Sequence, residues 1–307
     1  MAMAEAASAP VNRTLAAAGA ITLYAVLIGF TDNSVRFIAQ DIGLWQFHAT
    51  RTVFVVALMG MALPLLRLDL RPRDLRAVVA RSLLHGVALM CYFAAFAFLP
   101  VAQAAAGLFT APIFVLLIAR FAYGQPIGPF RIAAVILGFL GILMVLGPGM
   151  ASIGPAVVVP ALAGFFYALG HIATRRWCAR ESAATLTLGF FLALGMFGLI
   201  GMGGLLAFPQ AVPPGMAGFV LRAPVMPSAE VLLWILVQAV GALLGLLAMV
   251  RGYQLADASR VAVFEYIVLP VAALWGFLLW AEVPSALAVG GMALIVAAGL
   301  LIALRGD

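Results

Sequence analysis

VAVFEYIVLPVAALWGFLLW, residues 261–280, decides the fold. A helix of that length, at about 1.5 Å per residue, crosses a hydrocarbon core of ~30 Å. The stretch holds one charge, Glu265, and one helix-interrupting residue, Pro270. A carboxylate in hydrocarbon is costly unless it faces protein or water, so an acid at this depth marks a functional site.

The rest of the chain reads the same way. Of its 307 residues, 66% are apolar and 9% are charged, more apolar surface than a soluble fold of this length can bury. The chain is therefore expected to be an all-α polytopic membrane protein. The net charge of +6 comes from arginines in short connections, with no basic face interleaved with aromatics. That pattern argues against a nucleic-acid partner and for the positive-inside rule. Cys91 and Cys178 lie on different apolar segments and are expected to be free thiols; no metal site and no cofactor is expected.

Windowed hydropathy gives ten spans, near 15–38, 45–66, 77–98, 101–121, 130–147, 155–177, 183–207, 230–252, 258–280 and 284–304. The Pro- and Gly-rich stretch 208–229 reads as a surface loop, with an interfacial segment near Met216–Leu221. Placing both termini in the cytoplasm leaves only Arg36, Arg51 and Arg222 outside. The run at Leu15 continues too far for a signal peptide and is kept as the first span.

The halves repeat. Ala106–Gln125 resembles Ala262–Glu282, and each is followed by a Gly-rich apolar run. A repeat of five spans is odd, so the second copy enters from the opposite side. The expected organisation is a tail 1–14, a first repeat 15–148, a link 149–154, an inverted second repeat 155–304 around a central cavity, and a tail 305–307. Inverted copies support alternating access in secondary transporters.

Further pieces carry a resemblance: WQFHATR at 45–51, the Arg81-led third span, LPVAQAA at 99–105, FEY at 264–266, and Glu282 followed by Gly291 and Gly299. In order and spacing they resemble the EamA-type branch of the drug/metabolite transporter superfamily, over nearly the whole chain. The resemblance implies ten helices in two inverted repeats and transport of small metabolites, often export. Within that branch the chain is similar to bacterial aromatic amino-acid exporters, which implies a bacterial inner-membrane location. Relatives with similar motifs are associated with uptake of S-adenosylmethionine or riboflavin. Gln125 stands where the family often has the counterpart of Glu282.

Glu265 is the sharpest candidate, about seven residues into its span; the repeat register sets Leu108 opposite it. It is read as binding a substrate ammonium or carrying a coupling proton, against a structural ion pair. Asp32, Arg36, His48 and Arg51 cluster toward the outer half and are read as a gate or a structural network. On the third span Arg81, His85, Ala88, Tyr92 and Phe96 form one stripe. Tyr167 and His171 share a face of the sixth span, and Gln238, Gly241, Gly245 and Met249 a face of the eighth. Converging, these stripes make an aromatic-walled cavity with His85, Tyr92, Tyr167, His171, Gln238, Glu265, Tyr266 and Trp275 as substrate contacts. Pro112 and Pro270 are expected to kink their helices. Trp45, Trp177, Trp234 and Trp280 read as interface anchors. HExxH, GxSxG and aspartate-rich diphosphate motifs are missing, so an enzyme is not expected; nor is an ATP-binding loop present. The remaining alternatives are a passive pore or a structural membrane subunit.

Overall fold

The computed structural model describes residues 9–66, 68–98, 104, 107–146, 158–281 and 283–305. Among them every regular element is helical. The helices are α1 (Ala9–Asp41), α2 (Leu44–Leu66), α3 (Leu75–Ala95), α4 (Ala111–Phe121), α5 (Pro129–Leu146) and α6 (Val158–Arg176). There follow α7 (Ala183–Ala207), α8 (Ala229–Leu255), α9 (Ala258–Phe264), α10 (Val268–Trp280) and α11 (Ala286–Arg305). A 3-10 turn, Glu265–Ile267, joins α9 to α10. Counting that run as one, six described helices are long and apolar enough to cross a membrane, and three shorter apolar helices accompany them. The chain is a polytopic membrane protein. The inter-repeat link 149–154 and Glu282 lie outside the described residues.

With α9, the turn and α10 counted as one pass, the packing follows a pattern. The pair α1 and α8 is matched by α6 and α3; α1 against α9 and α10 is matched by α6 against α4. The pair α3 and α7 is matched by α8 and α2, while α2 with α7 and α5 with α11 map onto themselves. Small residues let these helices approach, the usual means of packing where lipid removes the hydrophobic drive between helices. A Cβ on Gly241 would lie 2.2 Å from the Thr31 side chain, and one on Gly201 2.0 Å from the Trp45 ring. Trp45 is thus seated in a groove of α7, and its Nε1 donates to Val220 O at 2.8 Å. The half-buried ring is fixed by protein contacts at the span end where the sequence places an interface anchor.

The helices α5 and α11 cross backbone to backbone. A Cβ on Gly141 would stand 2.6 Å from Gly291 O, and one on Gly291 2.5 Å from Gly141 O. Neither backbone can yield as a side chain would. Gly141→Ala is expected to cost about 1–3 kcal/mol of stability, typical of overpacking. A lowered thermal midpoint in detergent checks it, with Gly203→Ala, which meets nothing within 4 Å, as the unaffected control.

Both prolines follow a break. In the fourth pass the Gly107 carbonyl accepts from Thr110 N (3.1 Å) and Thr110 Oγ1 (2.6 Å), and α4 restarts with Pro112 in its first turn. There a missing N–H costs nothing. In the ninth pass the helix tightens to 3-10 at Glu265–Ile267 just before Pro270. The proline ring displaces the carbonyl four residues back, that of Tyr266. The interruption therefore falls on Glu265 rather than on the proline.

The long loop packs down on one end of the bundle. Its 3-10 turn is Gly215–Gly218, and Phe219 beside it is fully buried, so the segment is anchored on protein. Arg222 donates to Ala39 O (2.7 Å), Ile42 O (3.1 Å) and Gly215 O (3.1 Å), covering the last carbonyls of α1 with a cation. At the opposite end the Glu181 carboxylate accepts from Arg73 N and Asp74 N, and Ser182 caps α7 while donating to Asp69 O.

Candidate functional site

Six passes converge on one buried polar cluster. From α3 come His85 and Tyr92, from α6 Tyr167 and His171, and from α8 Gln238, Met249 and Tyr253. From α1 come Tyr24 and Asp32, and from α2 His48 and Arg51. Glu265, 2% exposed, enters from the break in the ninth pass.

At one pole, Arg51 donates from Nη1 to Gln238 Oε1 (3.0 Å) and its Nη2 meets His48 Nδ1 at 2.8 Å. Its guanidinium lies 4.8 Å from the Phe47 ring centroid, 5.9 Å from Phe93 and 5.4 Å from Phe191, within cation–π range. Its Nε has no hydrogen-bond partner.

At the other pole, His171 Nε2 and Glu265 Oε1 stand 3.3 Å apart, in ion-pair range but without hydrogen-bond alignment. Tyr253 stacks on His171 with centroids 3.8 Å apart and planes 4° apart. Tyr167 meets the same imidazole edge-on at 4.1 Å, and its phenol bonds Tyr24 at 3.0 Å and Met249 Sδ at 3.3 Å. His85 lies 4.9 Å from His171, fully buried, with both ring nitrogens lacking a hydrogen-bond partner. One turn before it, Arg81 donates to Thr174 Oγ1 (2.9 Å) and Leu186 O (2.8 Å), tying α3 to α6 and α7.

Between the poles is a cavity of about 60 Å³. Its polar lining is Asp32, Arg51, His85, Tyr92, Tyr167, Gln238 and Tyr24; Phe93, Phe190 and Phe191 supply aromatic wall. It has room for several waters at ~10–15 Å³ each but is too small for a ring, since an apolar cavity of ~150 Å³ is what binds benzene.

Four of the residues read as substrate contacts, His85, Tyr92, Tyr167 and Gln238, line this cavity. So do Asp32 and Arg51, which the sequence suggests as a gate or a structural network. Glu265 and His171 sit beyond it as the paired acid and base. Tyr266 turns away onto α5, where a Cβ on Gly138 would touch its ring at 2.3 Å. Trp275 is held on α1 by Nε1 to Val26 O (3.0 Å) and by Phe30, whose ring centroid is 5.0 Å away. The Arg36 side chain lies outside the described residues. Cys91 and Cys178 are free. Tyr24 and Tyr253 were missed, although Tyr24 is eight residues before Asp32 on one stripe of α1, and Tyr253 continues the Gln238–Met249 stripe by one turn.

Gly170 makes the cluster possible: a Cβ there would fall 1.9 Å from His85 Nδ1. The imidazole is flanked by Tyr167, His171 and Phe190, so it can give way only toward the cavity it lines. Gly170→Ala is expected to cost about 1–3 kcal/mol. Thermal midpoints of Gly170→Ala, His85→Ala and the double variant check it, the double being less destabilised than the sum because the clash partner is gone.

A family model for EamA-like transporters matches residues 15–147. The chain is 29% identical over 284 residues to the pseudopaline exporter CntI of Pseudomonas aeruginosa, covering 90% of this chain and 93% of that protein. It is 29% identical over 285 residues to a riboflavin transporter of Rhizobium johnstonii, covering 92% and 87%. It is 23% identical over 203 residues to an S-adenosylmethionine uptake transporter of Rickettsia prowazekii, covering 66% and 63%. A solved crystal structure at 20% identity superposes with a TM-score of 0.71, over 94% of this chain and 96% of the other, and shares its fold. These relatives are transporters rather than enzymes, and residues 15–147 of the chain are similar to the EamA-like transporter family.

Proposed function

We propose that the protein is a secondary transporter that exports zwitterionic amino acids with aromatic or apolar side chains across the bacterial inner membrane. The observation that carries this is the lining of the central cavity: one acid (Asp32), one guanidinium (Arg51) and aromatic walls face the same space. Arg51 with Gln238 suits a carboxylate, Asp32 an ammonium, and Tyr92, Phe93 and Phe190 a flat side chain. Threonine and methionine fit the same zwitterion contacts with less of the aromatic wall.

The packing pairs that exchange under a shift of five passes support two five-helix units in inverted orientation, 15–148 and 155–304. An interrupted helix at the seam of such units is a common site of transport. In this reading the 60 Å³ space is the contracted state, and the helices part to admit substrate from one face at a time. Both termini lie in the cytoplasm, as the arginine distribution favours.

Proteoliposomes loaded with labelled phenylalanine, threonine or methionine test it: saturable, protein-dependent counterflow is expected for at least one. Riboflavin and S-adenosylmethionine belong in the same panel. The relation to a riboflavin transporter over 92% of the chain favours a flat heterocycle as the second reading. Counterflow of riboflavin alone would replace the amino acid; unsaturable leakage of every solute would indicate a pore.

A further inference from the structure

We propose that the seam between α3 and α7, on the lipid side of the central cavity, is a seat for one anionic phospholipid. An acyl chain fills the groove there, and the phosphate lies on Arg71, Arg73 and Arg76. The groove is a separate space of about 350 Å³, lined chiefly by Leu75, Val78, Val79, Leu83, Leu188 and Leu192. Along α7 it runs from Thr185 to Met196. That is roughly 16 Å of helix, about the depth of one leaflet of a ~30 Å core.

Two observations point to a lipid with a polar head rather than to a bare tail. The first is charge at the rim. Arg71 and Arg73 flank Pro72, which lines the groove, and all three arginines are exposed. Arg76 stands above Val79 and Leu83 at i, i+3 and i+7, on the same stripe of α3. The acids nearby accept from backbone, Asp69 from Arg71 N, Asp74 from Ala77 N, and Glu181 from Arg73 N and Asp74 N, and none of the ion pairs between described residues involves these three guanidiniums. The three exposed guanidiniums are therefore open to an outside anion. The second is Ser82, 3% exposed, a residue of the groove wall whose buried hydroxyl has no hydrogen-bond partner. Gly189 opposite leaves it room, since a Cβ there would come within 2.7 Å of Ser82 Oγ. A rotation of this side chain toward the groove would offer the hydroxyl to a lipid ester carbonyl, the acceptor it lacks.

The groove and the central cavity share α3 and α7, with His85, Phe190 and Phe191 on one side and Ser82, Gly189 and Leu192 on the other. A seated lipid therefore braces the wall of the transport site, and this holds whatever the transported solute is.

Native mass spectrometry of the purified full-length protein, offered phosphatidylglycerol and phosphatidylcholine in equal amounts, tests the proposal. At least a tenfold preference for phosphatidylglycerol is expected. Arg71→Gln, Arg73→Gln and Arg76→Gln should each lower it by up to about fivefold, the worth of one cation near an anionic membrane surface. Arg73→Gln keeps the backbone N–H that Glu181 uses, so the link stays intact. Val79→Trp plugs the groove with a lipid-compatible side chain and leaves the arginines; it should remove one bound phosphatidylglycerol. Equal retention of both lipids by the unmodified protein overturns the proposal. So does undiminished preference in the triple arginine variant, or undiminished occupancy in Val79→Trp.

Discussion

Arg51→Lys is expected to reduce substrate counterflow by about two orders of magnitude. The guanidinium spends two nitrogens on Gln238 and His48 and lies within cation–π range of three aromatic rings. A lysine ammonium is a single, strongly hydrated point on a flexible stem and cannot reproduce that fork. It leaves buried polar partners unmet, and breaking a buried charged arrangement costs about 3–5 kcal/mol. If Arg51 anchors a carboxylate, the loss appears mainly as a raised half-saturation concentration, with the protein still folded by thermal melting. Saturable counterflow within threefold of the unmodified protein would remove Arg51 from the substrate site. Loss of folding without a change in apparent affinity would make it structural.

The second large effect concerns the pole that the cavity does not reach. Glu265 is the acid in the interrupted ninth pass, and its described partner is His171 at 3.3 Å. A carboxylate and an imidazole in ion-pair range each respond to the other's protonation. The break beside them gives the helix a joint whose two arrangements the proton can favour differently. Glu265→Gln keeps the volume and removes the charge. Flux driven by a pH gradient is expected to fall at least tenfold, while exchange at equal pH on both sides is kept. Unchanged pH-gradient dependence would take Glu265 out of coupling and leave it as a structural partner of His171. With both results in hand, Arg51 would be the residue that holds the solute and Glu265 the one that meters the energy.

Neither half of that division follows from hydropathy. Glu265 stands out in sequence because a lone acid in an apolar run is conspicuous. Asp32 and Arg51 look peripheral, because each lies near the end of its span beside other polar residues. In the structure α1 and α2 bring both to the cavity, while the acid is turned toward His171. Tyr266 and Trp275 share a span with Glu265 but point to α5 and α1. Three residues of one helix therefore serve three different neighbours.

Sequence by itself determined that this chain is a helical membrane protein, where its apolar segments lie, and which stripes of α3, α6 and α8 carry polar and aromatic groups. Those properties are local: a backbone in hydrocarbon must satisfy its own hydrogen bonds within a helix, and side chains recur every 3.6 residues along it. Only the tertiary structure decided that Arg51 meets Gln238, 187 positions away, that Trp45 lies against Gly201, and that Tyr253 covers His171. In a bilayer, lipid is as apolar as the helix faces themselves, so hydrophobicity does not choose partners. Close fit between small residues and buried polar groups does, and that fit exists only once the helices are side by side.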